Sequence, residues 1–118
     1  MSVTPEIYLV FQSCHFHEGG NPVKHKHMKL NNLIEIIRDR KLKMPTNSYV
    51  ASLFRLGEDR IIQKVGEEAI EVVIAAKNKN KQRIISEVSD LIFQLFILLT
   101  LKEITLSDIE KELESRTK

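Results

Sequence analysis

Hydrophobic residues recur three and four positions apart along most of the chain, which is the spacing of one face of an α-helix. Over residues 29–41 this pattern predicts a first helix, which ends before the helix-breaking residues 44–47. The hydroxyl of Ser48 is placed to cap a short second helix. We expect that helix to run through Leu56, with Gly57 at its C-terminal end.

Two long helices joined by a polar turn are predicted in the second half of the chain. The first begins at Glu58 or Asp59 and continues to about Lys77, and the second extends from about Gln82 to Leu101. The four intervening residues are alternating asparagines and lysines. The apolar positions of the first long helix are Ile61, Ile62, Val65, Ala69, Val72, Val73 and Ala76.

A capping-box pattern at Ser107 and Glu110 predicts one more helix, which ends near Arg116. No alternation typical of strands and no internal repeat occurs after Met28. The sequence therefore predicts an all-α fold.

The second long helix is hydrophobic on nearly every face in its latter half. A helix of this kind is buried on all sides, and so small a core offers few partners to cover it. It is not expected to span a membrane, because Glu87, Asp90 and Gln94 interrupt the apolar stretch. We expect a helical hairpin core that forms a four-helix-type bundle across a homodimer.

Residues 1–27 differ from the rest and are interpreted as a short N-terminal extension of unknown role before a helical domain, 28–118. Residues 7–11 form a β-prone run, and the breaker cluster 18–22 follows. Several side chains near this end are metal ligands by type: Cys14, His15, His17, His25 and His27. Their spacing matches no known zinc module, so a structural or incidental role is favoured.

Composition narrows the class of protein. The 118 residues fit one domain, and a net charge of +2 is too small to indicate nucleic-acid binding. A single cysteine and no signal-peptide pattern predict a cytoplasmic location. From Met28 onward the chain has no His, Cys or Trp, so any catalysis there depends on carboxylates, Lys, Arg, hydroxyls or a metal.

Two pairs of carboxylates occupy matching positions on the long helices. Glu68 and Glu71 are three residues apart and share a face, as do Glu87 and Asp90. If the helices form an antiparallel hairpin that turns at Lys79, Glu71 lies opposite Glu87 and Glu68 lies opposite Asp90. The hairpin then brings four carboxylates to one level.

Four facing carboxylates repel one another unless some are protonated or a cation lies between them. Oxygen ligands favour Mg²⁺, with Mn²⁺ as an alternative, and Mg²⁺ also binds substrate phosphates. Solvated helix faces would explain the same residues. The metal site is favoured because Glu87 and Asp90 lie in a very apolar helix, where charge is costly.

Basic residues surround the four acids. Lys64 lies one turn before Glu68 on the same face and is the best candidate contact for substrate phosphate, followed by Arg60. Lys77, Lys79 and Lys81 are interpreted as parts of a solvated turn.

Three segments of the chain together resemble the phosphoribosyl-ATP pyrophosphatase family: 60–71, RIIQKVGEEAIE; 86–91, SEVSDL; and 48–54, SYVASLF. The tail 98–110 also fits, so the resemblance covers roughly residues 30–117. It implies the all-α fold of MazG-like NTP pyrophosphohydrolases and a dimer with a bundle core. It also implies Mg²⁺-dependent hydrolysis of phosphoribosyl-ATP to phosphoribosyl-AMP and pyrophosphate, the second step of histidine biosynthesis.

The resemblance also implies roles for individual residues. Carried over by position, the metal ligands are Glu68, Glu71, Glu87 and Asp90. Lys64 is a phosphate contact, and Glu67 either supports the ligands or acts as a base. We therefore expect Glu67 and Glu71 to be the catalytic carboxylates.

Two features depart from the family pattern. Gln94 occupies a position where many members have His, which affects any role of that side chain but not the acidic group. Residues 1–27 are too short to be the cyclohydrolase domain to which this enzyme is fused in some organisms, so that second activity is not expected.

Two alternatives remain open from the sequence. One is a house-cleaning pyrophosphohydrolase of the same superfamily, which would act on dUTP, dCTP or damaged NTPs. The other is a non-catalytic helical dimerisation module. Neither alternative requires nucleic-acid or membrane binding.

Overall fold

Five α-helices make up the part of the chain that the computed structural model describes, residues 27–117. They are α1, Leu30–Lys43; α2, Tyr49–Leu56; α3, Glu58–Lys77; α4, Lys81–Leu101; and α5, Leu106–Ser115. Residues 27–117 contain no β-strand. The predicted all-α fold is confirmed, and the helix ends lie close to the expected positions.

The predicted end signals of α2 are confirmed. The Ser48 hydroxyl accepts a hydrogen bond from the Ala51 amide at 3.1 Å and so caps the helix. Gly57 ends it with φ 101°, a conformation that disfavours residues with a β-carbon. α3 begins at the next residue, Glu58, so Gly57 alone separates the two helices.

The capping box of the last helix lies two residues earlier than predicted. Thr105 is the N-cap, and its hydroxyl accepts from the Asp108 amide while the Asp108 carboxylate accepts from the Thr105 amide. The prediction of Ser107 and Glu110 was therefore wrong. Both pairs have the same spacing, but Thr105 is the residue with extended backbone, while Ser107 is already inside the helix.

The α3–α4 hairpin is the most extensive helix contact, and it turns at the predicted place. Lys79 adopts a left-handed conformation with φ 58°, and its amide donates to the carbonyl of Ala76. α1 packs on α4 and α2, and α2 also packs on α3. The core side chains come from these four helices: Leu33, Ile34, Ile37, Val50, Leu53, Ile61, Phe93, Phe96 and Ile97.

The buried stripe of α3 is more polar than its apolar spacing indicates. Its buried residues are Ile61, Lys64, Glu68 and Ala75. Ile62 and Val73 are 48% and 62% exposed. α3 therefore turns charged side chains toward α4 and leaves an apolar face uncovered in the single chain.

α4 has a mixed inner surface. By length and composition it could cross a membrane, a test that the core helices of globular proteins also pass. Its buried side includes Glu87, Asp90 and Gln94 as well as aromatic and aliphatic residues. Burial on all sides is not observed in the single chain, since Ile85 and Leu95 are exposed.

Most predictions for the N-terminal extension lie outside the described residues. These are the β-prone run 7–11, the breaker cluster 18–22, and the side chains of Cys14, His15, His17 and His25. Of the predicted ligand types, His27 alone falls within the described part, in an exposed non-helical segment before α1.

Candidate functional site

Three carboxylates from the hairpin come together in its interior. Glu68 of α3 and Glu87 and Asp90 of α4 each offer an oxygen that lies within 4.8 Å of the others. These residues are 0%, 3% and 2% exposed. We refer to Glu68, Glu87 and Asp90 as the acidic group.

The hairpin register explains how the acidic group forms. Because the turn is centred at Lys79, Glu68 and Asp90 lie at the same level on opposite helices. Glu87 is three residues before Asp90 and shares its helix face. The predicted convergence of carboxylates is thus confirmed for these three.

Glu71 lies one turn beyond Glu68 on α3. It is half-buried and lies outside the acidic group. The structure therefore brings together three of the four predicted ligands, and the ligand roles of all four stay predictions.

Several carboxylate oxygens of the acidic group are buried without a hydrogen-bond partner: both oxygens of Glu68, and Oε2 of Glu87. Buried charge without compensation is strongly unfavourable. The positive charge of a divalent cation supplies that compensation. Opposite oxygen ligands of Mg²⁺ lie about 4 Å apart, which is close to the spacing of the oxygens in the acidic group. The donor set and its spacing fit such an ion after small side-chain adjustments.

Electrostatics within the acidic group change the titration of Glu68. Burial raises the pKa of this carboxyl to about 7, and the nearby Lys64 ammonium partly opposes the shift. The negative charges of Asp90 and Glu87 raise the same pKa further. Without a bound cation, Glu68 therefore keeps its proton up to a pH well above the ordinary pKa of a glutamate.

Two basic residues and Glu67 form a second charged set beside the acidic group. Lys64 is buried, and its Nζ lies 3.6 Å from Glu67 Oε1. Arg60 Nη1 lies 3.6 Å from Glu67 Oε2. Glu67 therefore lies between the two predicted phosphate contacts. Exposure of Lys77, Lys79 and Lys81 agrees with the predicted solvated turn.

Gln94 and Tyr49 add a polar contact to the same interior. Gln94 is fully buried, and its Nε2 donates to the Tyr49 hydroxyl at 3.4 Å. The Tyr49 ring stacks on Phe93, with ring centroids 6.2 Å apart. Sequence reasoning assigned no role to Tyr49, although the polar residue Gln94 in an apolar helix was a signal of a buried contact.

Comparison with known proteins gives a consistent result over the whole helical region. The family model described as phosphoribosyl-ATP pyrophosphohydrolase matches residues 30–117. A phosphoribosyl-ATP pyrophosphatase of Leptospira biflexa is 54% identical over 84 residues, which are 71% of this chain and 91% of that protein.

Two further relatives come from two other organisms. A phosphoribosyl-ATP pyrophosphatase of Saccharolobus solfataricus is 45% identical over 75% of this chain and 95% of its own length. The histidine biosynthesis bifunctional protein HisIE of Caldanaerobacter subterraneus is 55% identical over 75% of this chain but only 43% of its own length. The similarity to the bifunctional protein is thus confined to part of that protein.

Proposed function

The chain belongs to the phosphoribosyl-ATP pyrophosphohydrolase family, and from this premise we propose that it hydrolyses phosphoribosyl-ATP to phosphoribosyl-AMP and pyrophosphate. This reaction is the second step of histidine biosynthesis. The observation that carries the proposal is the acidic group, buried in the hairpin with oxygens that no protein donor satisfies.

We propose that Glu68, Glu87 and Asp90 hold Mg²⁺, with Mn²⁺ able to replace it, and that Glu71 joins them from the next turn of α3. The oxygen-only donor set supports a hard divalent cation. Such an ion, when bound, polarises phosphoryl oxygens and offsets the charge that develops in the transition state.

Lys64 and Arg60 are proposed to bind the phosphates that project from the acidic group. A triphosphate needs positive groups in addition to a metal, and these two cations already face a common carboxylate. Glu67 keeps both cations in place, and phosphate oxygens would replace it as their partner.

The reaction requires one water molecule and one proton acceptor. The water oxygen forms a bond to a phosphorus of the triphosphate, and the bond from that phosphorus to the leaving pyrophosphate oxygen breaks. A carboxylate accepts the proton that the water loses. We propose Glu71 for this step because it lies next to the acidic group and is half-buried, with Glu67 as the other predicted catalytic carboxylate.

A homodimer is the proposed assembly. α3 exposes Ile62, Ile70, Val73 and Ile74, which are 46–62% accessible in the single chain. Contiguous apolar patches on a helix are rare on soluble monomers and are typical of subunit contacts. A second copy that packs on this face would complete the four-helix-type bundle.

The proposed domain bounds, cellular location and partners of the enzyme follow from the same function. Residues 28–118 act as the helical catalytic domain, and residues 1–27 are an extension. A cytoplasmic location fits a single cysteine and a biosynthetic reaction. No nucleic-acid or membrane partner is needed for this activity.

A substrate panel tests the proposed reaction. Pyrophosphate release from phosphoribosyl-ATP by the full chain with Mg²⁺ is the expected result, with little release from dUTP, dCTP or damaged NTPs. Preference for a nucleoside triphosphate would favour the house-cleaning alternative. Absence of pyrophosphate release from every substrate would favour the non-catalytic dimerisation module.

A further inference from the structure

Gln94 is a buried amide whose oxygen has no hydrogen-bond partner. Its side chain is 0% exposed, and its Nε2 donates to the Tyr49 hydroxyl. Its Oε1 is shielded from solvent and accepts no hydrogen bond. A buried acceptor left in this state is destabilising. Groups of this kind in native proteins usually have a bound water, an ion or a functional role to explain them.

The position of Gln94 in the helix directs it toward the acidic group. Gln94 lies one turn after Asp90 and two turns after Glu87, so the three side chains share one face of α4. Side chains on a helix lean toward its N-terminus, and here that is the direction of the two acids. Among the described residues, the fully buried side-chain oxygens without a hydrogen-bond partner belong to Glu68, Glu87 and Gln94.

The hairpin register gives Gln94 a polar neighbour across the interface. Lys64 and Gln94 are equally distant from Lys79, and both are buried. One turn deeper, the fully buried Ile61 and Ile97 close the interior. Gln94 therefore lies at the level between the acidic group and the hydrophobic core.

In the structure the nitrogen end of the Gln94 amide is the end that contacts Tyr49. The Tyr49 ring is held by its stacking on Phe93, so its hydroxyl is a fixed partner for Nε2. Oε1 is then the end of the amide that lies away from Tyr49. It requires a donor, which the three carboxylates cannot supply when a bound cation keeps them ionised, because ionised carboxylates can only accept.

We propose that Gln94 is a positioning residue of the metal centre, whose Oε1 accepts a hydrogen bond from a water molecule carried by the divalent ion. This inference rests on the proposed metal site. Mg²⁺ and Mn²⁺ in proteins commonly keep several waters, which are strong donors. A hydrogen-bonded outer partner orients such a water and increases the affinity of the site for the ion.

The test is the dissociation constant for Mn²⁺ alone, measured at pH 8 on the full chain by calorimetry. Gln94→Met has nearly the same shape but no acceptor, and Gln82→Met is the control at an exposed position of α4. We expect Gln94→Met to weaken Mn²⁺ binding about tenfold. Its melting temperature without metal should change little, because removal of the unpartnered Oε1 offsets the loss of the hydrogen bond from Nε2 to Tyr49. Gln82→Met should bind Mn²⁺ like the wild type.

Gln94→Glu provides a second variant that keeps the acceptor oxygens. We expect it to bind Mn²⁺ at least as tightly as the wild type, whereas a tenfold loss would overturn the acceptor role. Wild-type affinity in Gln94→Met would overturn the inference and leave the metal site itself intact. Failure of the wild type to bind Mn²⁺ would overturn both the inference and the proposed metal site.

Discussion

Lys64 Nζ lies 3.6 Å from Glu67 Oε1, and the two side chains differ sharply in burial, at 7% and 41% exposed. The ammonium is thus inside the hairpin while its carboxylate partner faces outward. The same ammonium lowers the pKa of Glu68, against the effect of burial. Lys64 is therefore the internal positive charge next to the acidic group, and a bound divalent ion would repel it.

Lys64→Met is expected to tighten the binding of Mn²⁺ alone and to weaken the binding of substrate. Loss of one neighbouring positive charge, worth about 1 kcal/mol, corresponds to roughly fivefold tighter Mn²⁺ binding. The KM for phosphoribosyl-ATP should rise because a phosphate contact is lost. Calorimetry at pH 8 and steady-state kinetics measure the two effects, with Lys77→Met in the exposed turn as the control. Weaker Mn²⁺ binding in Lys64→Met would contradict the assignment.

Glu67→Gln separates a positioning role from a role as the general base. If Glu67 holds Arg60 and Lys64, its loss should raise KM by about three- to tenfold, with a smaller effect on kcat. A general base contributes about 10²–10⁴ in rate, so a fall of that size in kcat at unchanged KM would make Glu67 the base. The corresponding variant Glu71→Gln should show this larger fall in kcat.

Stability of the metal-free protein should decrease as the pH rises from about 4.5 to about 7. Glu68 titrates near pH 7 when folded and at its ordinary value when unfolded, so in this window the folded state binds more protons. The contribution of Glu68 to the free energy of unfolding is complete below this window and lost above it, and the shift of its pKa from 4.5 to about 7 corresponds to about 3 kcal/mol. Urea unfolding in EDTA at a series of pH values measures the effect.

Glu68→Gln is the matched control for this pH dependence. It keeps the shape of the side chain and removes its titration, so the wild-type decrease should be largely absent. In the wild type, saturating Mn²⁺ should restore the stability that the metal-free protein loses at pH 8, because the ion replaces the proton. Parallel pH profiles for the wild type and Glu68→Gln would exclude Glu68 as the cause.

Sequence reasoning succeeded where local patterns decide the structure. Ser48 and Gly57 mark the ends of α2 by their own backbone preferences, and the turn at Lys79 fixes which carboxylates meet. It failed at the start of α5, where Thr105 and Ser107 offer equivalent capping patterns. Only the path of the chain after α4 selects between them.

The inner surface of the site was harder to predict, because it depends on packing rather than on composition. Apolar spacing on α3 favours Ile62 and Val73, yet the structure buries Lys64 and Glu68. The facing helix brings Glu87 and Asp90 to the level of Glu68, a long-range arrangement that single-helix periodicity does not reveal. The contact between Tyr49 and Gln94 joins residues 45 positions apart and has no local pattern.

Val73→Glu is expected to disrupt the proposed dimer. Val73 is 62% exposed in the single chain, and a buried charge at a subunit contact is strongly unfavourable. The wild type should sediment as a dimer and Val73→Glu as a folded monomer in analytical ultracentrifugation. Leu42→Glu is the control, because Leu42 is 85% exposed on α1, away from that face of α3. A monomeric wild type would contradict the proposed assembly.

Mn²⁺ binding by Asp90→Asn tests the central role of the acidic group most directly. Asp90 is 2% exposed and shares the group with Glu68 and Glu87, whereas Asp59→Asn changes an exposed acid on the same hairpin. We expect the wild type and Asp59→Asn to bind Mn²⁺ with equal affinity. Asp90→Asn should remain helical by circular dichroism and bind at least about tenfold more weakly. Wild-type Mn²⁺ affinity in a folded Asp90→Asn protein would show that the ion binds elsewhere.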